Sequence, residues 1–258
     1  METTCLHRYW SPAGPALLGR QVVPLLRNQG HDVRVLTRTS RPPSVGVQYV
    51  VGDLLAGTGI HQAVRGIEIV VHLAGGPKGD DKATATLVAA AKSAEARHIV
   101  LISVIGADTV PLGYLRAKNS AEAVLRESGI GYSIVRAAQF HDLTFKMVRG
   151  MAKLPIVPVP GGMRLQPVDS AEVAARIVEL ALGRPAGRVA DLAGPRDYTF
   201  RELLVAYLAA HGKRRMTMPV RVPGKAGKAY RAGANLAGRG HRGRRTWEEF
   251  LATASAAD

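Results

Sequence analysis

The chain has 258 residues, 47% hydrophobic, 21% charged and 5% aromatic, which suits one globular domain, or one domain with a smaller lobe, and excludes a disordered chain. No apolar run approaches the roughly 18 to 20 residues of a membrane span, and Glu2, His7, Arg8 and Trp10 stand where a secretory signal needs an apolar stretch, so a cytoplasmic protein with no membrane partner is expected. The single cysteine, Cys5, excludes intrachain disulfides and cysteine-clustered zinc, and the formal charge of +15 is concentrated late, with eleven basic residues and no acid between Lys213 and Arg245.

METTCLHRYW opens the chain as a poor central strand, because His7 and Arg8 fall where a buried sheet prefers Val or Ile. SPAGPALLGRQVV (11–23) follows, in the place where a first βα turn brings a glycine-rich loop to a pyrophosphate at a helix N-terminus. Gly14, Leu18 and Gly19 are the candidates there, although Ala13 and Ala16 occupy the other glycine positions, and a proline-rich turn before a helix explains the same residues. Gly19 to Gly30 reads as that helix, with Val22, Val23, Leu25 and Leu26 on one side.

Apolar runs at 31–38, 47–53, 67–76, 98–107 and 131–140 then alternate with helical patterns at 80–97 and 118–128. Runs buried on both faces and separated by helices predict βαβ units and a Rossmann-type, doubly wound α/β fold with a parallel sheet. After Phe140 the rhythm breaks at Pro155, Pro158, Pro160, Gly161 and Gly162. A helix over 170–183 with Ser170 as N-cap, a short strand in VADLAG, and a helix over 199–211 with Thr199 and Glu202 as a capping box complete the pattern. Trp247, Phe250 and Leu251 share one face of a last helix. Residues 1–150 are therefore expected to form a dinucleotide-binding core and 151–258 a smaller substrate lobe packed over the sheet's carboxyl edge, with 213–245 as a basic, solvated segment.

Ligands of open parallel sheets bind beyond the strands' carboxyl ends, which directs attention to the residues after each run. The second run ends Leu36, Thr37, Arg38, Thr39, Ser40, Arg41 with no acid. Arg38 with Arg41 makes a corner suited to a phosphate, or a solvated strand end. Asp53 closes the third run, placed to meet an adenine amino group or to shape a turn. HLAGG (72–76) ends the fourth in small residues that admit close backbone approach, which marks Ala74, Gly75 and Gly76. Ser103 ends the fifth, and Tyr114 and Lys118 follow four apart on a helix face. An ammonium beside a phenol favours its proton exchange with a carbonyl or alcohol, while a serine hydroxyl polarises the same oxygen. The eight histidines are scattered, so no metal is expected, and Tyr230 is the sole aromatic of the basic segment, which argues against nucleic acid.

The stretches LGRQVVPLLRNQGHDVRVLTR, VVGDL, VVHLAG, VLISVIGAD, YLRAKNSAEAVLRESGIGYSIVRAAQFHD, QPVDSAEVAARIVELAL and RRTWEEFLA resemble an atypical short-chain dehydrogenase/reductase of the NmrA-like, NAD(P)-binding group. The resemblance implies that Arg38 contacts a 2′-phosphate, Asp53 and Leu54 the adenine, Ala74 to Gly76 the ribose and diphosphate, and Lys118 the nicotinamide ribose. Ala137 to Phe140 would line the nicotinamide pocket, with Gln139 and Phe140 facing substrate. It also implies an NADP(H)-dependent reductase of a carbonyl or quinone-like small molecule, NADPH being preferred over NADH, with Tyr114 as acid, Lys118 tuning it and Ser103 orienting the acceptor. Pro12, Ala13 and Ala16 depart from the group's glycine-rich loop. Because some members bind NADP without known turnover, a noncatalytic NADP sensor that binds a protein partner is the alternative, and a homodimer is compatible with either.

Overall fold

The structure, a computed structural model, describes residues 2–6, 15–42, 44–73, 75–76, 78–238 and 240–254. In chain order its elements are β1 (Glu2–Leu6), α1 (Pro15–Asn28), β2 (Asp32–Thr37), β3 (Val47–Val51), α2 (Ile60–Val64), β4 (Ile69–His72), α3 (Asp80–Ser93), β5 (His98–Val104), α4 (Gly113–Arg126) and β6 (Gly131–Ala137). There follow α5 (His141–Met151), β7 (Ile156–Pro160), β8 (Arg164–Leu165), α6 (Ser170–Leu182), β9 (Gly187–Arg188), β10 (Leu192–Ala193), β11 (Tyr198–Thr199), α7 (Phe200–Ala210), β12 (Met216–Val220), α8 (Gly224–Arg231), β13 (His241–Arg242) and α9 (Trp247–Ala254). Among the described residues, no helix is long and apolar enough to cross a membrane.

The described residues divide into two compact units that interleave in sequence: Met1–Ser103, Gly113–Arg136 and Ala171–Val189 form one, and Val104–Leu112, Ala137–Ser170 and Ala190–Asp258 the other. The first is built on parallel strands in the order β6-β5-β4-β1-β2-β3, with β9 paired to β6. The chain runs outward from β1 to β3 and then returns to β4 on β1's other side, so the sheet's topological switch lies between β1 and β4. Val70, Val71, Ile99, Val100, Leu101, Ile134 and Val135 are almost wholly buried, as expected of strands covered on both faces. Helices α2, α3 and α4 contribute Ile60, Val64, Leu87, Ala91 and Leu125 to the same core.

The opening strand is placed by its neighbours, against the preferences of its own residues. Glu2–Leu6 takes the central place, Thr3 pairing with both Val33 and Ile69 and Cys5 with both Val35 and Val71. Hydrogen bonding on two sides supplies what the local residue preferences lack.

The second unit has its own core, in which Val148, Val157, Val159, Leu165, Leu204, Tyr207 and Leu251 surround Trp247. The Trp247 indole donates to the carbonyl of Leu203 at 3.1 Å, so the largest apolar side chain is also satisfied as a donor. Helix α7 starts with the expected capping box, Thr199 and Glu202 bonding reciprocally. Ser170 is not the cap of α6 but its first residue, and its hydroxyl donates to Asp142 at 3.1 Å. The stretch expected as a solvated basic loop contains β12, paired in parallel with β7, and α8. A strand whose partner lies some sixty residues earlier leaves little local trace in sequence.

Candidate functional site

Helix α4 presents Tyr114, Lys118, Glu122 and Arg126 at intervals of four, which places them along one stripe. Tyr114, in the first turn, is 39% exposed, whereas Lys118 is 4% and Glu122 0% exposed. The phenol is therefore within reach of solvent, and the ammonium behind it is not.

Burying an ammonium is costly unless it is paired. Lys118 Nζ lies 2.9 Å from Asp80 Oδ2, and both side chains are buried. Asp80 opens α3, where a carboxylate is favoured by the helix N-terminus, and its other oxygen accepts the backbone N–H of Gly76 at 2.7 Å. The Asp80 carbonyl accepts from the Thr84 hydroxyl at 2.7 Å, which in turn meets His72 Nε2 at 3.0 Å. Burial would lower the Lys118 ammonium, but Tyr114, Asp80 and Glu122 outweigh it and hold the group above its ordinary value. The ammonium is thus a fixed positive charge at any physiological pH.

A side chain at position 75 would place its Cβ 2.8 Å from Lys118 Nζ. A side chain there would require the lysine tip to shift away from Asp80, so glycine keeps the backbone after β4 close to the Tyr–Lys helix at no cost. Ala74, between them in the expected set, lies outside the described residues, as does Gly14.

Ser103, buried at the end of β5, donates to Glu122 Oε1 at 2.6 Å. Glu122 is also held by Arg136 of β6 through two bonds, Nε to Oε1 at 2.7 Å and Nη2 to Oε2 at 2.8 Å. This bidentate, fully buried pair ties α4 to β6, and the serine's one proton is committed to it. Ser103 can donate to an acceptor oxygen only by leaving Glu122.

At the end of β2 the buried Thr37 hydroxyl donates to the Thr39 carbonyl at 2.6 Å. Arg38 is exposed and makes no ion pair among the described residues. Gly19, Arg20, Thr37 and Arg41 help line a cleft of about 330 Å³. Asp53 Oδ1 accepts the N–H groups of Leu55 at 2.7 Å and Ala56 at 3.3 Å, so the carboxylate shapes the turn after β3. Leu18 and Leu54 are core residues, each 1% exposed. Ala137, Gln139 and Phe140 belong to the second unit, where the Gln139 carbonyl accepts from Val168 N–H at 3.0 Å.

The described residues fit the ribose and phosphates of a dinucleotide: a glycine passage beside a permanent ammonium, and an exposed arginine at the end of β2 with no acid from Thr37 to Pro42. Sequence reasoning missed Asp80, Glu122 and Arg136. The first two left signals, an acid opening an alanine-rich helix just after two glycines, and a third member of the spacing begun by Tyr114 and Lys118. Arg136, inside an apolar strand run, was detectable as a charge in need of a partner.

A sequence profile of a family described as NAD(P)H-binding matches residues 17–182. The photosystem II assembly factor Ycf39 of Cyanophora paradoxa is 28% identical over 155 residues, 54% of this chain and 46% of that protein. The chain spans about half the length of the curated relatives it matches. A nucleoside-diphosphate-sugar epimerase from Staphylococcus aureus superposes with a TM-score of 0.80 at 18% identity, covering 98% of this chain and 100% of that one. An NADPH-dependent quinone oxidoreductase from Escherichia coli, complexed with NADPH, superposes with a TM-score of 0.76 at 18% identity, covering 98% and 99%. At such identities the likeness is one of fold.

Proposed function

The chain belongs to a family described as NAD(P)H-binding, and we propose that it is an NADP(H)-dependent oxidoreductase of the atypical short-chain dehydrogenase/reductase type that reduces a carbonyl or quinone-like acceptor. The observation that carries this reading is Lys118, buried and charged against Gly75, with the solvent-accessible Tyr114 one turn earlier on the same helix.

When bound, the nicotinamide supplies a hydride. The chain supplies the remainder. Tyr114 gives its phenolic proton to the acceptor oxygen, and the neighbouring ammonium of Lys118 favours the phenolate left behind. Lys118 also holds the ribose hydroxyls, and Asp80 fixes its position. Ser103 exchanges Glu122 for the acceptor oxygen and orients it. Arg38, with Thr37 beside it at the strand end, would receive the 2′-phosphate, so that NADPH would be preferred over NADH. Asp53 and Leu54 would border the adenine, Gly14, Leu18 and Gly19 the pyrophosphate, Ala74, Gly75 and Gly76 the ribose and diphosphate, and Ala137 the nicotinamide. Gln139 and Phe140 select the small-molecule substrate.

A second reading is favoured by two observations. The Ser103 proton is committed to Glu122, and a relative at 28% identity is named as an assembly factor. Under it the chain binds NADP(H) without turnover and presents its surface to a protein partner. Titration calorimetry with NADPH and NADH, followed by NADPH consumption with a panel of quinones and aldehydes, separates the two. Steady consumption supports the reductase. Tight binding with no turnover across the panel overturns it in favour of the sensor.

A further inference from the structure

Strands β7 and β12 form a two-stranded parallel sheet that, among the described residues, pairs with no other strand. Val157 and Val159 are buried in the second unit's core. The alternate residues of β7, Ile156, Pro158 and Pro160, therefore point the other way. The register sets Met216 beside Ile156, Met218 beside Pro158 and Val220 beside Pro160. The outward face is thus apolar at all six positions, where a sheet with one solvated face ordinarily alternates to polar residues. Ile156 is 50% exposed, Met218 51% and Met216 70%.

The surroundings of this face are cationic. An open cleft of about 490 Å³ at its leading end is lined by Lys153, Pro155, Arg214, Arg215 and Met216. The Arg215 guanidinium donates to the carbonyls of Ala152 at 3.0 Å and Arg214 at 2.7 Å, and among the described residues neither arginine nor Lys153 meets a carboxylate. Residues 143–168 and 203–247, which carry both strands, contain fifteen of the thirty-five basic residues and none of the twenty acids. The rest of the chain sums to zero, so the net charge of +15 is the charge of these two segments.

We propose that the β7–β12 face docks on a membrane surface bearing anionic phosphate headgroups, with Met216, Met218 and Ile156 entering the acyl boundary and Lys153, Arg214 and Arg215 meeting the phosphates. Apolar side chains flanked by cations are what interfacial binding uses, and no spanning helix is needed. The expectation of no membrane partner rested on the lack of a spanning segment, which a peripheral contact does not need. A second copy of the chain is disfavoured as occupant, because it would bring the same cations to the contact. A folded protein partner ordinarily finds polar groups of both signs at the rim to set its orientation, whereas the charged groups lining the cleft at the leading end, Lys153, Arg214 and Arg215, are all cationic. The inference stands apart from the nucleotide chemistry.

The test is co-sedimentation of the full chain with vesicles of equimolar phosphatidylcholine and phosphatidylglycerol, against phosphatidylcholine alone. Binding to the mixed vesicles only, weakened by salt, is expected. Arg214→Ser with Arg215→Ser should weaken it by roughly fivefold per cation removed, and Met216→Ser with Met218→Ser by roughly tenfold. Hydrogen exchange of the unsubstituted chain should slow at residues 153–158 and 214–220 when mixed vesicles are added, a readout independent of how the variants fold. Absence of binding, or binding that ignores the methionine pair in a variant that melts normally, overturns the proposal. A dimer dissolved by the methionine substitutions would assign the face to a second copy and overturn it equally.

Discussion

On the proposed reading, Arg38 is the residue on which cofactor choice would turn. It is exposed, makes no ion pair among the described residues, and stands at the end of β2 in a stretch, 37–42, that contains no acid. A charge-assisted bond to a 2′-phosphate should favour NADPH over NADH by about tenfold, roughly 1.4 kcal/mol, and Arg38→Ala should erase the difference in a calorimetric titration. Equal affinities in the unsubstituted protein would remove Arg38 from the site. For the chemical step, Tyr114→Phe should lower turnover by about two or more orders of magnitude while leaving NADPH affinity nearly intact, whereas Lys118→Ala should impair both. Asp80→Asn keeps the shape but removes the counter-charge of a buried ammonium, at a cost of about 3 kcal/mol in stability. It should also move the basic limb of the pH–rate profile to lower pH, since burial would no longer be opposed by that carboxylate. An unshifted profile would make Asp80 a structural residue only. Of these groups Arg38, Tyr114 and Lys118 were singled out from residue type and spacing, and the proposal rests on them. Asp80 was not, because nothing local tells that a carboxylate at one helix start will meet a lysine on the next helix.

Among the elements, those with long apolar or amphipathic signatures were readable: β2 through β6, α3, α4, α6 and α7 all lie within or beside the stretches that periodicity marks. Elements held chiefly by distant partners were not. The five-residue α2 and β12 have weak patterns of their own, and β1 carries polar residues in a place that only its neighbours on both sides define. The opening stretch also allows an element-scale prediction. Pro12, Ala13 and Ala16 stand where a flexible, glycine-rich turn would serve a pyrophosphate. Replacing residues 1–18 by an apolar strand and a T-G-x-T-G-x-x turn running into Gly19 should raise the melting temperature and tighten NADPH binding together. If neither changes, the native start is already competent.

For the molecule as a whole, stability should depend on pH through buried histidines. His141 is fully buried against Trp247 and Phe250, and burial, aided by the Arg245 guanidinium against the opposing Asp169 carboxylate, pushes it down to about 4. His98, buried between Arg97 and Ser133, is lowered for the same first reason, burial, with Arg97 adding to it. A depressed histidine binds its proton more readily in the unfolded chain. Stability is therefore full above about pH 6.5 and is lost as pH falls toward 4, by on the order of 3 kcal/mol for His141. Melting temperatures measured between pH 7 and 4 should fall accordingly, and His141→Leu should flatten the slope whatever it does to the plateau. A slope unchanged by that substitution would assign the acid sensitivity elsewhere.

The interleaving of the two units bears on how the chain is made. Strand β6 gains its β9 partner only through Gly187 and Arg188, and α6 enters the first unit from Ala171 onward. A nascent chain that has left the ribosome as far as residue 150 has all six main strands of that unit but neither of these pieces. The first unit cannot close before about residue 189 has emerged, and by then the second has contributed its middle segment without its end. Translation must carry both units partly open for most of its course, a period in which a nascent-chain chaperone or early capture of dinucleotide has most to contribute.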